Sequence, residues 1–189
     1  MKFIKKQLTL KRIFDILFSL ITITLLSWLL VLGYLIALFD TGSNGIFYQK
    51  RVGQFGKLFT IFKLKTLHPQ TGKISKTGLF LRKYKLDELP QLLNVLFGDM
   101  SIVGPRPDIQ GYYDTLKGEN RKILELKPGI TSLASIKYYN EEEILDKQEN
   151  PLIYNDTVIF PDKIKMNLEY YYKRNFLLDL KIILKTILK

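Results

Sequence analysis

The longest apolar run of the chain lies near its start, where residues 16–39 carry no formal charge. About 20 apolar residues suffice to cross the hydrocarbon core of a bilayer. The pattern therefore predicts that residues 1–40 form a basic segment followed by a membrane helix. A cleaved signal peptide fits poorly, because the run is longer than the usual hydrophobic region and no small-x-small cleavage motif follows it.

Basic residues flank this run on both sides, so the charge distribution assigns no orientation to it. They are Lys2, Lys5, Lys6, Lys11 and Arg12 before the run and Lys50, Arg51 and Lys57 after it. A re-entrant helix that bends and returns to the cytoplasmic face would reconcile the two flanks. Ser27 can support such a bend through a hydroxyl-to-carbonyl bond, and Trp28 favours an interface. Since no proline forces a kink, a straight span is the alternative.

Asp15 lies just inside the start of the apolar run, one helical turn after Lys11 and Arg12. Side chains three and four residues apart are neighbours on a helix. We therefore expect Asp15 to pair with these two cations near the lipid headgroups.

The polar and apolar positions of residues 41–189 predict a single α+β domain that is mostly helical. Residues 46–52 and 58–67 are β-like and are separated by a short glycine-containing loop, which predicts a hairpin. On the second strand Lys63 and Lys65 share one face, because side chains two apart point the same way. These lysines are candidates for binding an anionic substrate, although solvated lysines are the ordinary interpretation.

The remaining segments are predicted mainly as helices. Residues 112–126 are predicted as a helix before a turn at Pro128-Gly129, and residues 140–150 as a solvated acidic helix or loop. Residues 151–161 are predicted as irregular. Residues 163–173 are predicted as a helix in which Tyr170, Tyr171 and Tyr172 are candidate interface anchors. Residues 176–189 form a basic amphipathic helix with leucines at 177, 180, 184 and 188. Such a helix can lie in the headgroup plane, and a core helix with a solvated lysine row is the alternative.

Charge and composition narrow the chemistry. The 189 residues include 29 Lys and Arg against 18 Asp and Glu, which gives a net charge of +11. This balance predicts an anionic partner: nucleic acid, anionic lipid or a phosphorylated substrate. With no cysteine and only His68, thiol nucleophiles, disulfides and a two-histidine zinc site are excluded. Acid–base or nucleophilic chemistry therefore falls to carboxylates.

Asp87 and Glu88 are the strongest candidates, because they are adjacent and open an apolar segment predicted to be a helix over residues 88–97. Asp87 is predicted as the N-cap, with Gly98 just past the end. One capping donor is missing because Pro90 has no N–H, so Asp87 keeps lone pairs free. The helix N-terminus would favour an ionised carboxylate. The pair can hold Mg²⁺, or one carboxylate can attack while the other holds the metal. The alternative is a purely structural cap.

Arginines accompany the acidic pair on both sides. Arg82 precedes it, and Arg106 is fixed between Pro105 and Pro107, since a following proline restricts the backbone. A guanidinium held in this way suits bidentate recognition of phosphate. An ordinary turn arginine is the alternative.

The chain resembles the bacterial sugar transferases, the monotopic phosphoglycosyl transferases that begin the assembly of surface glycans. The resemblance covers nearly the whole chain, and the run through the acidic pair to Arg106 is the most specific part. The matching segments are Lys11-Arg12-Ile13-Phe14-Asp15, Phe62-Lys63-Leu64-Lys65-Thr66, Leu86-Asp87-Glu88-Leu89-Pro90-Gln91-Leu92, Asn94-Val95-Leu96, the run from Gly98 to Pro107, Lys127-Pro128-Gly129-Ile130-Thr131 and Leu178-Asp179-Leu180-Lys181-Ile182.

The resemblance implies transfer of a phosphosugar from a UDP-sugar to a polyprenyl phosphate such as undecaprenyl phosphate, with release of UMP. It implies that Asp87 is the nucleophile and Glu88 its acid–base or metal-assisting partner, with both able to hold Mg²⁺. Substrate binding falls to Arg82, Pro105, Arg106, Lys63 and Lys65. The implied location is the cytoplasmic face of the inner membrane. The expected partners are the UDP-sugar, the lipid phosphate and the bilayer, with no nucleic acid, and a homodimer is left open.

Two departures from the family pattern stand out. The family commonly has Ser-Pro midway through the membrane helix, where this chain has Ser27-Trp28. After Thr131 the family usually continues Gly-Trp-Ala-Gln, where this chain has Ser132-Leu133-Ala134-Ser135. The second departure predicts a different sugar or nucleotide preference.

Two rival functions fit parts of the sequence. A membrane-tethered basic module would bind nucleic acid or anionic lipid without chemistry, but a polyanion-binding face would be expected to avoid the acidic pair. A metal-dependent phosphohydrolase would use the same carboxylates with water as the final acceptor.

Overall fold

The computed structural model describes residues 2–189, with side chains from residue 9 onward. The side chains of Lys2, Lys5 and Lys6, part of the predicted basic flank, lie outside the described residues. The helices are α1 (Lys2–Leu25), α2 (Ser27–Thr41), α3 (Lys76–Lys83), α4 (Gln91–Phe97), α5 (Leu133–Lys137), α6 (Glu141–Asp146), α7 (Pro151–Tyr154), α8 (Phe160–Lys173) and α9 (Phe176–Ile187). The strands are β1 (Ile46–Val52), β2 (Leu58–Leu64), β3 (Ser101–Val103) and β4 (Gly129–Thr131). The predicted α+β class is confirmed.

The predicted membrane segment is two helices, not one straight helix. No single described helix has the length and apolarity to cross a bilayer, but residues Thr9–Leu25 and Ser27–Thr41, bent by 68°, meet both criteria together. At the bend the Ser27 hydroxyl donates to the Thr24 carbonyl oxygen at 3.0 Å. Hydroxyls that bond backbone carbonyls are a known cause of helix bending. The expectation that Ser27 supports a bend without proline is confirmed, and the straight helix is wrong.

The first half of α1 is tied to the rest of the protein by polar side chains, and the predicted local pairing of Asp15 is wrong. The Lys11 ammonium forms a 2.7 Å ion pair with Asp179 of α9. Both terminal nitrogens of Arg12 donate to the last carbonyls of α4, Val95 O at 2.6 Å and Leu96 O at 2.9 Å. Asp15 is buried and accepts from the backbone N–H of Ile102 at 3.1 Å. Long-range partners therefore replace the neighbours one turn away.

The predicted hairpin is confirmed, with a shorter second strand. β1 and β2 pair antiparallel, from Ile46 opposite Leu64 to Val52 opposite Leu58. Lys65 lies beyond the end of β2, where its backbone N–H donates to Gly45 O. The expected strand face shared by Lys63 and Lys65 therefore does not form.

A second sheet was not predicted. β3 and β4 pair parallel, with Ser101 opposite Gly129 and Val103 opposite Thr131. The Pro128-Gly129 signal, interpreted as a turn, instead starts β4. The interpretation failed because a three-residue strand is defined by its distant partner, not by its own sequence.

Two predictions of secondary structure in the second half were wrong, one of a helix and one of an irregular segment. Residues 112–126 contain 3₁₀ turns, Tyr113–Thr115 and Gly118–Glu125, because Gly118 adopts a positive φ of 55° that interrupts an α-helix. Residues 151–161, predicted as irregular, are helical. Pro151 and Pro161 each occupy the first turn of a helix, where a missing N–H costs nothing, and a π-helical turn at Asn155–Ile159 joins α7 to α8.

The main core lies between the hairpin, α4, β3, α8 and α9. Its fully enclosed members include Ile61, Val95, Met100 and Ile182. Tyr170, predicted as an interface anchor, is buried instead, and its hydroxyl donates to Asp179 at 2.6 Å. On α9, Ile182 and Ile183 face the core. The predicted leucine side remains exposed at Leu177, Leu184 and Leu188.

Candidate active site

The acidic pair lies in a tight turn between two helices. After α3 ends, Lys85 adopts a left-handed backbone (φ 56°), and residues Leu86–Glu88 form a single 3₁₀ turn. α4 begins only at Gln91, with Pro90 at its N-cap. The predicted N-cap role of Asp87 is therefore wrong, because the chain turns once more before the helix starts. Gly98 does end α4 in the left-handed conformation, as predicted.

Glu88 is fully engaged by two cations. Arg106 donates to both of its oxygens, Nη1 to Oε2 at 3.1 Å and Nη2 to Oε1 at 2.5 Å. The Lys63 ammonium donates to Oε1 at 2.9 Å. Burial alone would raise the pKa of Glu88, but the charges and hydrogen bonds of Arg106 and Lys63 outweigh it and hold the pKa well below its usual range. Glu88 is thus the member of the pair whose pKa favours the ionised form.

Asp87 is equally buried but has spare capacity. Both carboxylates keep only 8% of their surface exposed. Oδ1 of Asp87 has no hydrogen-bond partner among the described residues. Burial and the adjacent Glu88 charge raise the pKa of Asp87, while Lys63, Lys85 and Arg82 lower it in part. The expectation that a helix N-terminus keeps Asp87 ionised does not hold, because no helix starts there.

The register of the hairpin places Lys63 beside Glu88. Paired residues of an antiparallel ladder point to the same face, and so do residues two apart on one strand. Lys63 and Ile61 of β2 therefore share a face with Arg51 of β1, which pairs with Phe59. All three of these side chains line a cavity of about 480 Å³. Lys63 and Arg106 join this cavity to the acidic pair.

The short parallel sheet fixes the loop that carries Arg106. The backbone N–H of Gly129 donates to Pro105 O at 2.8 Å, and that of Gly104 to Thr131 O at 3.0 Å. A Cβ on Gly104 would lie 2.2 Å from Lys127 O, so only glycine allows this approach. Pro105 is buried, and its carbonyl oxygen serves this backbone pairing. Arg106, as the following residue, is aimed at Glu88.

Arg82 and Lys65 lie apart from the group formed by Glu88, Lys63 and Arg106. Arg82 Nε donates to the Thr66 hydroxyl at 2.9 Å, and its Nη1 is 3.9 Å from an oxygen of the exposed Glu142. Arg82 still contributes positive charge at Asp87. The Lys65 ammonium donates to the Ser43 hydroxyl at 3.0 Å, next to the end of α2.

The cavity also contains residues that sequence reasoning did not select. Arg51, Gln91, Asp108, Tyr112 and Lys163 are among its lining residues. Lys163 of α8 is held by Glu141 of α6 at 2.6 Å, so the acidic segment predicted as solvated supplies one wall. The only local signal was the alternation along β1, which places Arg51 on one face without saying which face is buried.

The site suits Mg²⁺ only through a single carboxylate. The described residues contain no cluster of three acidic or histidine side chains that could hold a metal ion. Both oxygens of Glu88 are taken by cations, whereas Oδ1 of Asp87 is unpartnered. Mg²⁺ commonly binds through one or two carboxylates plus substrate phosphates and waters. The donor set is therefore compatible with Mg²⁺ carried on a phosphorylated substrate.

Comparison with known proteins identifies the family. The model of the family described as bacterial sugar transferase matches residues 6–189. The chain belongs to the bacterial sugar transferase family. This sugar transferase is 33% identical over 190 residues to the "Uncharacterized sugar transferase EpsL" of Bacillus subtilis (strain 168), an alignment that covers 95% of the chain and 86% of that protein. The resemblance in the motifs is confirmed, and the chain is a transferase enzyme.

Other relatives of this sugar transferase are named for their reactions. It is 32% identical over 193 residues to the "UDP-glucose:undecaprenyl-phosphate glucose-1-phosphate transferase" of Caulobacter vibrioides, covering 94% of the chain and 68% of that protein. It is 36% identical over 127 residues to the "Putative undecaprenyl-phosphate N-acetylgalactosaminyl 1-phosphate transferase" of Bacillus subtilis, covering 60% and 70%. The two names share the lipid and differ in the sugar.

Proposed function

We propose that this sugar transferase moves a phosphosugar from a UDP-sugar to a polyprenyl phosphate, through a covalent intermediate on Asp87. The observation that carries the proposal is the contrast within the acidic pair. Both oxygens of Glu88 are bonded to cations, while the adjacent buried Asp87 keeps an oxygen that has no partner among the described residues. Lys63 and Arg106, the two cations on Glu88, also line the cavity. The names of the relatives support the same substrates.

In the first half-reaction, Oδ1 of Asp87 attacks the β-phosphorus of the UDP-sugar. A bond forms between the carboxylate oxygen and this phosphorus, and the bond from the phosphorus to the bridging oxygen breaks. The bridging oxygen keeps the electron pair and leaves as part of UMP. No proton is needed on the leaving phosphate, because its negative charge is neutralised by the surrounding cations.

In the second half-reaction, a phosphate oxygen of the lipid attacks the phosphorus of the intermediate. The bond between that phosphorus and Asp87 breaks, and the carboxylate is regenerated. The product is a polyprenyl diphosphosugar, the first lipid-linked step of a surface glycan such as a capsule, O-antigen, exopolysaccharide or glycoprotein glycan. Covalent catalysis thus divides one difficult transfer between two anions into two easier steps.

Glu88 acts here as the anchor of the cations. By binding Arg106 and Lys63 at 2.5–3.1 Å, it holds two positive charges where the phosphates are to bind. Fixed charges need no reorganisation when the transition state forms. Arg82 adds positive charge at Asp87 from the other side. We further propose that Mg²⁺ carried on the diphosphate would be held by the Asp87 carboxylate and would neutralise phosphate charge, while the carboxylate oxygen that does not bind the metal attacks.

The membrane supplies the second substrate. We propose that α1 and α2 form a re-entrant hairpin in the cytoplasmic leaflet of the inner membrane, with the catalytic part on the cytoplasmic face. The 68° bend and the exposed apolar side chains near it support this arrangement, since Leu25 is 67% and Trp28 64% exposed. The exposed leucines of α9 support its place in the headgroup plane.

The proposal is tested by mixing the protein with UDP-sugars in the absence of lipid acceptor. Release of UMP up to one equivalent of enzyme, with the matching mass added to Asp87 in intact-protein mass spectrometry, is the expected result. A folded preparation that releases no UMP from any UDP-sugar would contradict it. Continuous release of sugar phosphate into water would instead favour the phosphohydrolase.

A further inference from the structure

Two residues that line the cavity each carry a buried nitrogen donor without a partner among the described residues. Nε of Arg51 and Nε2 of Gln91 are buried and donate to no acceptor in the described part of the protein. Both residues line the same cavity, and the proposed chemistry has not used either. A buried donor without a partner costs free energy, so such groups are usually reserved for a ligand or water.

Arg51 is held in position by its other nitrogens. Its Nη2 donates to Oε1 of Gln49 at 2.6 Å, and its Nη1 lies 3.6 Å from Oδ1 of Asp108. The β1–β2 register places Arg51 on the face of the hairpin that carries Lys63. A guanidinium oriented in this way, with Nε free, suits an oxygen of a phosphate.

Gln91 adds a neutral donor to the lining of the cavity. It is the first residue of α4, four residues after Asp87, and keeps only 3% of its surface exposed. An amide N–H can bind a phosphate oxygen without adding charge to a site that already holds several cations. In the chain, Gln91 follows closely after the turn that carries the acidic pair.

The neighbours of each residue order the two donors along the cavity. Gln91 is the first residue of α4, four residues after Asp87 in the chain. Arg51 instead lies 3.6 Å from Asp108, two residues after Arg106, and so lies on the Arg106 side of the pair. The phosphorus that Asp87 attacks must lie beside Asp87, which leaves the nucleoside side of the diphosphate for Arg51.

We propose that Arg51 and Gln91 bind the diphosphate of the nucleotide sugar, with Arg51 on the phosphate that leaves with the nucleoside and Gln91 on the phosphate that stays with the sugar. This assignment rests on the proposed function and extends it to two residues outside the acidic pair. Both act as binding residues, and neither takes part in bond making.

Calorimetric titration with UMP and with UDP separates the two roles. Arg51→Met is expected to weaken both nucleotides by about tenfold or more, because each carries the phosphate next to the nucleoside. Gln91→Met is expected to leave UMP binding within about twofold of the parent and to weaken UDP about fivefold, because only UDP carries the second phosphate.

Matched variants control for charge and for loss of an amide. Lys50→Met removes a cation from the opposite face of β1, since Lys50 is exposed and alternates with Arg51. Gln148→Met removes an amide that donates to Ile144 O and is not among the cavity-lining residues. Both should bind UMP and UDP as the parent does. If either methionine variant at the site fails to fold, Arg51→Lys and Gln91→Glu remove the same donors.

Each result decides the assignment. Parental affinity of the folded Arg51 or Gln91 variants for both nucleotides would overturn it, while a parent that still releases UMP would leave the proposed function standing. Equal weakening of UMP and UDP by Gln91→Met would overturn the order of the two phosphates. A parent that binds UDP with the expected contrasts but never releases UMP would count against the covalent reaction alone.

Discussion

Two regions of the molecule differ in where their charged and apolar side chains lie. One is the turn that carries the acidic pair, and the other is the bent pair formed by helices α1 and α2. In the turn, Asp87 and Glu88 are buried and surrounded by cations. Around and beyond the bend many large apolar side chains are exposed, and Phe39 reaches 80% exposure. Charge therefore faces inward in one region, and apolar surface faces outward in the other.

The contrast shows which partner each region lacks. A buried charge is costly unless opposite charges and hydrogen bonds satisfy it, and Asp87 Oδ1 has no partner among the residues whose side chains are described. A large exposed apolar surface is costly in water and free of that cost in lipid. Under the proposed function, a phosphorylated ligand would complete the turn and a bilayer would cover the bent pair. A mutation in the turn should therefore impair the reaction and leave membrane binding unchanged, and a charged residue at the bend should do the reverse.

The largest effect is expected from Asp87→Asn. The amide keeps the shape of the side chain but cannot attack phosphorus, so the burst of UMP should fall about 10⁴-fold or more. Quenched-flow measurement of UMP with the matched UDP-sugar gives the rate. Membrane association should be unchanged, because Asp87 lies outside the bent pair. Turnover of Asp87→Asn at the parental rate would refute the covalent mechanism.

Glu88→Gln should affect both stability and rate. It leaves Lys63 and Arg106 close together without the carboxylate that both bind. Removing one partner of a fully buried ion pair costs roughly 3–5 kcal/mol. The loss here should be smaller, because the Arg106 side chain is 41% exposed. Chemical denaturation of the two proteins in the same detergent measures the difference.

The same variant should change how stability depends on pH. The pKa of Glu88 is lowered in the folded protein by Arg106 and Lys63, so its stabilisation is complete above the usual pKa of a glutamate. That stabilisation is lost as pH falls from this value towards the lowered one. The parent should therefore lose more stability than Glu88→Gln on acidification, and parallel curves would argue against the ion pair.

Leu25→Glu tests the other region, at the bend. A charged side chain near the centre of a bilayer costs up to about 3 kcal/mol, so binding to anionic lipid vesicles should weaken by up to about 100-fold. Sedimentation with vesicles measures the bound fraction. Phe55→Glu is the control, because Phe55 is 63% exposed at the tip of the hairpin, a full strand away from α2. Equal loss in both variants would contradict insertion at the bend.

The smallest effect is expected in the pH profile of the burst. Burial and Glu88 raise the pKa of Asp87, and attack requires the carboxylate form. The rate of the UMP burst should therefore fall on the acid side at a pH above the ordinary pKa range of an aspartate. Lys85 lowers the pKa of Asp87. Lys85→Ala should therefore move this fall in rate to still higher pH, whereas an unchanged position would show that another group sets it.

Local patterns identified the elements whose signals lie within a short stretch. The apolar run, the hairpin, α4 with Gly98 and the amphipathic α9 follow from periodicity and from glycine. Ser27 likewise gave a local reason to expect a bend, although the sequence left a straight span open because no proline is present. The motifs also fixed the family, because their order and spacing extend along nearly the whole chain.

Other features depended on contacts between distant parts of the chain. The sequence predicted that Asp87 keeps lone pairs free, but only the tertiary structure brings both Arg106 and Lys63 to Glu88. The Arg12 side chain donates to a carbonyl of α4, more than 80 residues further along the chain. The pairing register of the hairpin places Arg51 on the face that lines the cavity. A sequence determines which groups are available, because propensity and periodicity act locally. Which groups meet is decided by burial and packing, since these depend on every element at once.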